Sequence, residues 1–413
     1  MTTKSGPGRP KAPERKLPLM QLLDRIKERE EARENLIGFI KGRDVEDKGG
    51  WRGLLATPPG SLLETVIRAF DKNTDIPLEI PFITTVSLVA GVMLKRNNSV
   101  LFGGANVRPD LWTILLASSG SGKTFASTAI QKMSGFDSDF PEAASSAAFV
   151  EALSKNNRGI WVRDEIGQFI KNIESIQHLA EMKDYLLRVA DGKRIERSTK
   201  KERIVIDDPS LVILGLTVLE TFGNVVPPEM LLDGFAQRFN ILIAERDQRK
   251  DPRDYAIYDL SHSKDRISNE FDEIQATIKE NTQFELLDRA EDAFRTSFSM
   301  LYKDDLPMSF FRRVMFRGMK YAMVYHALLK KESTKIDEFD IGWGARLSAL
   351  HLKDASKILI DHGIPDLEKL IRSAERIKEG LARDGKVVSA RDIVQGVYGI
   401  KSTAEARGIL SLI

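Results

Sequence analysis

Eight residues, Ala117-Ser118-Ser119-Gly120-Ser121-Gly122-Lys123-Thr124, follow the apolar run Trp112-Thr113-Ile114-Leu115-Leu116 and precede a helix-compatible stretch from Phe125 to Met133. That order suits a phosphorylated ligand. Small residues let consecutive backbone N–H groups curl around phosphate oxygens, and the helix that follows points its positive end at the anion. In such a loop Ser119, Gly120, Ser121, Gly122, Lys123, Thr124 and Phe125 line a nucleotide. Lys123 reaches its β- and γ-phosphates, and the Thr124 hydroxyl joins Mg²⁺. Ala117 stands where glycine is commoner, while Gly122-Lys123-Thr124 is intact. No Gly-x-Gly-x-x-Gly follows a strand, so a dinucleotide site is excluded.

Three further segments supply what hydrolysis needs. Gly159-Ile160-Trp161-Val162-Arg163-Asp164-Glu165 is a short β run ending in two acids, 41 residues after Lys123, the order expected of a neighbouring strand. Asp164 at a strand end can hold Mg²⁺, and Glu165 can polarise an attacking water. The plainer alternative is a strand that stops in an acidic turn. Leu211 to Thr217 is a buried-strand pattern ending in a hydroxyl, which can sense a γ-phosphate or cap the next helix. Arg238 stands directly before the β run Phe239–Ala244. It suits either a salt bridge or an arginine finger that stabilises charge in a neighbouring subunit's site.

In this order the motifs resemble the AAA+ core of phage and plasmid replicative helicases, akin to helicase superfamily three and to mini-chromosome maintenance helicases. The resemblance spans about residues 60–360 and is most specific around 112–124 and 234–245. It implies a ring, usually a homo-hexamer, with ATP sites between subunits, acting on single-stranded or forked DNA beside a primase or origin-binding protein. Arg163 departs from the family's hydrophobic run before the acids. In related rings a hairpin before the Leu211 strand grips the DNA backbone, and six basic residues fall within 193–203 here. Lys193, Arg194, Arg197, Lys200 and Lys201 are therefore DNA-contact candidates, against the simpler reading of a solvated basic loop. A lid-helix arginine touching the γ-phosphate has two candidates, Arg313 and Arg317. The expected function is an ATP-dependent replicative DNA helicase. The alternative is an AAA+ loader or transposition regulator that remodels DNA without unwinding it.

The elements that must hold these residues form an expected α/β fold. Short β runs at 112–117, 159–163, 211–216 and 239–244 alternate with helical stretches, which predicts a P-loop NTPase core of three layers with a mainly parallel sheet over 99–250. Helical regions flank it at 17–98 and 251–366, with amphipathic stretches near 266–302, 308–331 and 338–361. Residues 367–413 read as a small helical module, the start of a winged helix. Residues 1–16, with three prolines and five basic residues, read as a disordered arm whose Gly8-Arg9-Pro10-Lys11 resembles a minor-groove hook.

Composition narrows the chemistry. With no cysteine among 413 residues, disulfides, zinc–thiolate sites, iron–sulfur clusters and thiol catalysis are excluded, and a reducing cytoplasm is the expected setting. The five histidines show no ligand spacing. Lys plus Arg is 62 against 60 acids, so any nucleic-acid footprint must be local. The longest apolar stretch, Ile80 to Leu94, is shorter than the roughly 20 residues of a bilayer crossing and predicts a buried helix, hence no membrane partner.

Overall fold

The computed structural model describes residues 19–42, 51–140, 145–176, 179–198, 203–226, 234–303, 306–361, 364–383, 385–397, 400, 402–410 and 413. The arm at 1–16 with its Gly8-Arg9-Pro10-Lys11 segment, and Lys200 and Lys201, lie outside these residues. Helices α1 (Leu19–Lys41), α2 (Leu62–Asn73) and α3 (Glu79–Lys95) come first, then strands β1 (Ser99–Phe102), β2 (Ala105–Val107) and β3 (Trp112–Ala117). Next are α4 (Lys123–Ser134), α5 (Ser146–Lys155), β4 (Arg158–Arg163), α6 (Ile166–Ser175), α7 (Ala180–Ala190), β5 (Ile195–Ser198) and β6 (Arg203–Ile206). After β7 (Ser210–Val218), α8 (Leu219–Val225) and β8 (Asn240–Ala244) come α9 (Ser261–Thr277), β9 (Gln283–Leu286) and α10 (Asp288–Leu301). The chain continues through α11 (Met308–Leu328), β10 (Lys335–Ile336), α12 (Glu338–Asp361), α13 (Ile364–Arg383), α14 (Ala390–Gly396) and α15 (Thr403–Leu410).

The central sheet is parallel, with strand order β4-β7-β3-β8. Its register sets Leu116 beside Thr217 and Thr113 beside Asn240. All six residues of β3 and all five of β8 are buried, as expected when helices cover both faces of a parallel sheet. Alternation along the strands splits the core. Trp112, Ile114, Leu116 and Trp161 pack with α5, α6 and α7, whereas Leu115, Ala117 and Ile160 pack with α2, α3 and α4. The expected α/β architecture is therefore present. One expectation needs correction: β4 does not neighbour β3, because β7 lies between them. At nine residues, eight of them buried, β7 has the most apolar surface to cover and takes an interior position.

Helix α3 is buried on every side from Glu79 to Leu94, as its unbroken apolar sequence predicts. Pro81 fits in its first turn, where a backbone N–H has no acceptor within the helix. Ser61 caps α2, its hydroxyl accepting from the Glu64 N–H while the Glu64 carboxylate accepts from the Gly60 N–H at 2.7 Å. Helices α11 and α12 pack closely at two glycines: a Cβ on Gly344 would lie 2.3 Å from the Gly318 carbonyl oxygen.

A second sheet, of order β10-β9-β1-β2, joins residues 99–107 to 283–286 and 335–336. The predicted helical stretch at 266–302 is thus two helices, interrupted by the turn at Asn281 and by β9. Helices α13, α14 and α15 share a small core of their own around Ala374, Ile393, Val397 and Ile409. No helix among the described residues is long and apolar enough to cross a membrane.

A buried ionic cluster ties the parts together. Arg52 lies 3.1 Å from Glu79 and also pairs with Asp354, whose carboxylate accepts from the Ile243 N–H at 2.7 Å. Burial pushes the Glu79 carboxyl up to about 7, against the opposing pull of Arg52. Between its ordinary value near 4.5 and 7 the folded chain holds this proton more tightly than the unfolded one. Stability therefore falls as pH rises through that window, and the loss is complete above it. Glu79→Gln should flatten the fall, removing up to about 3 kcal/mol of pH dependence between pH 4.5 and 8. Denaturant melts at the two pH values check this; parallel profiles for wild type and variant would contradict it.

Candidate functional site

The loop from Ala117 to Thr124 leaves the C-terminal end of β3 and turns into α4. Gly120 and Gly122 take the left-handed conformation, with φ of 75° and 76°, which side chains disfavour. Gly122 is also crowded: a Cβ there would lie 2.8 Å from the Ile76 side chain. The first turn of α4 carries no acidic residue, so its positive end faces the loop without a competing carboxylate from its own helix. Lys123 begins α4 and is 9% exposed.

The two motifs expected to share a metal meet. The Thr124 hydroxyl donates to Asp164 Oδ2 at 2.7 Å, although β7 separates their strands. Asp164 directly follows β4, and its other oxygen accepts from the Glu165 N–H at 3.0 Å. Glu165 sits in a left-handed turn at φ 51°, exposed at the start of α6. A hydroxyl beside a carboxylate offers hard oxygen donors of the kind Mg²⁺ takes. The cation at Arg163, unusual for a buried strand, is explained by stacking: its guanidinium lies 4.0 Å from the Phe169 ring centre and 5.2 Å from Trp161.

Thr217 is 3% exposed at the same end of the sheet, level with Leu116. It does not cap α8: that helix starts at Leu219, preceded by Val218, with no side-chain cap. One site residue was not anticipated. Glu220 stands at the loop, where Ser118, its own N–H, the Ser119 N–H and the positive charge of Lys123 together hold its carboxyl below the usual carboxylate range. Its only signal in the sequence is position, an acid three residues past Thr217 at the carboxyl end of an interior parallel strand, where ligands of α/β sheets gather.

Phe125, 42% exposed, stands over Tyr258 with ring centres 5.2 Å apart. The Tyr258 hydroxyl donates to Asp75 at 2.5 Å, and burial together with that carboxylate pushes the phenol up to about 12. Ile76, which touches Gly122, also lines a cleft of 1020 Å³ that continues past Pro77 to Glu245 and Lys250.

Other expected site residues lie elsewhere. Arg238 precedes β8, at the end of the sheet opposite the loop, with its guanidinium 2.7 Å from Asp191 and donating to the Gly234 carbonyl. Along β3, the five steps from Trp112 to Ala117 cover roughly 16 Å, beyond the reach of one side chain. Arg313 and Arg317 flank Arg238 rather than the loop. Arg317 is buried and donates to Asn240 at 2.8 Å and to the Gln237 carbonyl; burial and its cationic neighbours Arg313 and Arg238 lower it to about 9. These contacts give it a structural place.

The expected hairpin is present, with β5 and β6 paired antiparallel from Ile195–Ile206 to Ser198–Arg203. Its bases are partly answered within the chain. Lys193 lies 3.0 Å from Asp191, Arg194 lies 3.6 Å from Asp207, and Arg203 lies 2.7 Å from Glu196, while Arg197 is half-buried. No protein-family model matches this chain, and no curated protein matches it.

Proposed function

We propose that this chain is an ATP-hydrolysing replicative DNA helicase of a phage or mobile element, working as a ring, in the manner of the AAA+ and superfamily-three helicases its motifs resemble. The Thr124–Asp164 hydrogen bond carries the reading, because it joins a glycine-bent loop at a helix N-terminus to an acid from a strand two positions away. In this account the N–H groups of Gly120 to Thr124 cradle the phosphates, and Lys123 neutralises the β- and γ-phosphates. Thr124 and Asp164 would hold Mg²⁺, which when bound screens phosphate charge. Glu165 takes the proton of the attacking water, and Thr217 orients that water. The base lies toward Phe125 and the Ile76 cleft. Arg238, too far from its own loop, stabilises charge at a neighbouring subunit's site. The hairpin bases contact the DNA backbone without reading sequence.

Glu220 opposes nucleotide in this scheme, since its carboxylate takes donors at the loop and adds a negative charge beside incoming phosphate. Glu220→Gln should therefore tighten ATP binding about threefold in calorimetric titration, an effect that shrinks at high salt. An unchanged or weaker affinity would remove Glu220 from the site. The function itself is tested by ATP turnover with and without single-stranded DNA. DNA should stimulate turnover, and the stimulation should decline steeply with added salt. Absence of turnover with saturating Mg²⁺ and DNA would sink it.

A further inference from the structure

Strand β8 lies at the edge of the parallel sheet, and α12 grips its backbone. The Ile243 N–H donates to Asp354 at 2.7 Å, and His351 Nδ1 donates to the Ile241 carbonyl at 2.8 Å. From His351 a chain of hydrogen bonds runs through the core toward the start of the strand. Because the Ile241 carbonyl can only accept, Nδ1 carries the ring proton, and Nε2 is left to accept from the Tyr321 hydroxyl at 2.8 Å. Burial pushes the His351 imidazole down to about 3, which keeps the ring neutral in this tautomer. The Tyr321 oxygen accepts from Asn240 Nδ2 at 2.7 Å, and Asn240 Oδ1 accepts from Arg317 at 2.8 Å. The second arm of that guanidinium donates to the Gln237 carbonyl.

Tyr321, Asn240 and His351 are fully buried and Arg317 nearly so. Such a chain adds little stability over apolar side chains of the same volume, but when every step has a partner it fixes one arrangement. What it fixes here is the turn that enters β8. Gln237 is the middle residue of the short 3₁₀ turn Ala236–Arg238, a geometry whose own hydrogen bonds are poorer than those of an α-helix. Arg238 is the next residue and is partly exposed. The direction in which it leaves the sheet therefore depends on where the Gln237 carbonyl is held.

Resting on the reading of Arg238 as a finger, we propose that Tyr321 and His351 are positioning residues for it, acting through Asn240 and Arg317 on the carbonyl of Gln237. Without the Tyr321 hydroxyl, the Asn240 amide and His351 Nε2 both lose their buried partner. Asn240 is then free to turn, the Arg317 fork loses a fixed acceptor, and the turn before β8 loosens. The subunit's own loop, at the opposite end of the sheet, is untouched. The damage therefore falls on the neighbour's reaction and not on the subunit's own hold on nucleotide.

The test is ATP turnover by Tyr321→Phe, which keeps the ring stacked on His351, alone and in mixed rings of the full chain. Alone, kcat should fall about tenfold while KM for ATP stays within about twofold of wild type. Mixed equally with Lys123→Ala, whose finger is intact, it should reach about a quarter of wild-type turnover, roughly fivefold above the average of the two proteins alone. Mixed with Arg238→Ala, which lacks the same function, it should stay at the average. Arg317→Lys keeps the charge but not the fork, and should follow the same pattern; it carries the test if Tyr321→Phe loses its native melt. Unchanged kcat, a gain with Arg238→Ala, or a gain with neither partner would overturn the proposal. If Arg238→Ala and Lys123→Ala fail to restore each other, the finger reading itself falls and the proposal with it.

Discussion

Lys123→Ala should lower ATP turnover by at least about a hundredfold while leaving the fold intact. Removing one preorganised donor from a charge-stabilising site typically costs a factor of 10² to 10³, and a full positive charge aimed at the phosphates does more than a neutral donor. The side chain is 9% exposed at the base of the loop, so water cannot readily substitute for it. Alanine is the best helix former and sits comfortably at the first position of α4, so the thermal midpoint should stay close to that of wild type. Turnover within a few fold of wild type would mean that the loop does not position the phosphates as described.

Arg238→Ala should be at least as damaging in the homomeric protein, by about a thousandfold, the lower range for an arginine finger supplied by a neighbour. Its partner Asp191 is partly exposed, so the lost ion pair should take no more than about 1 kcal/mol of stability. The distinguishing result comes from mixing. Arg238→Ala subunits keep an intact loop, and Lys123→Ala subunits keep an intact finger. Rings formed from equal amounts should therefore recover activity at roughly a quarter of their interfaces. Two inactive proteins that stay inactive together would place Arg238 in a structural role instead.

Much of the architecture was legible because buried parallel strands and glycine-bent loops leave strong local marks. The four strands of the central sheet were readable as continuous apolar runs, and β3, β7 and β8 lie within two residues of their expected bounds. The all-buried α3 was equally plain. Sheet order was not legible: chain position alone suggested that β4 lies beside β3, whereas burial puts β7 between them. Strands β9 and β10, of four and two residues, were lost inside or between amphipathic stretches because a single alternating step fits either period. Glu220 and Asp191 escaped notice for another reason. Their partners lie about 100 and 47 residues away, at Ser118 and Arg238, and only the folded sheet brings them together.

Strand displacement on a forked DNA, with ATP and Mg²⁺, separates a motor from an ATPase that does not unwind. The wild type should separate the strands only when ATP is present, and Lys123→Ala should not separate them at all. DNA-stimulated turnover without separation of the strands would contradict the helicase reading, and would identify the chain as a loader or remodelling ATPase.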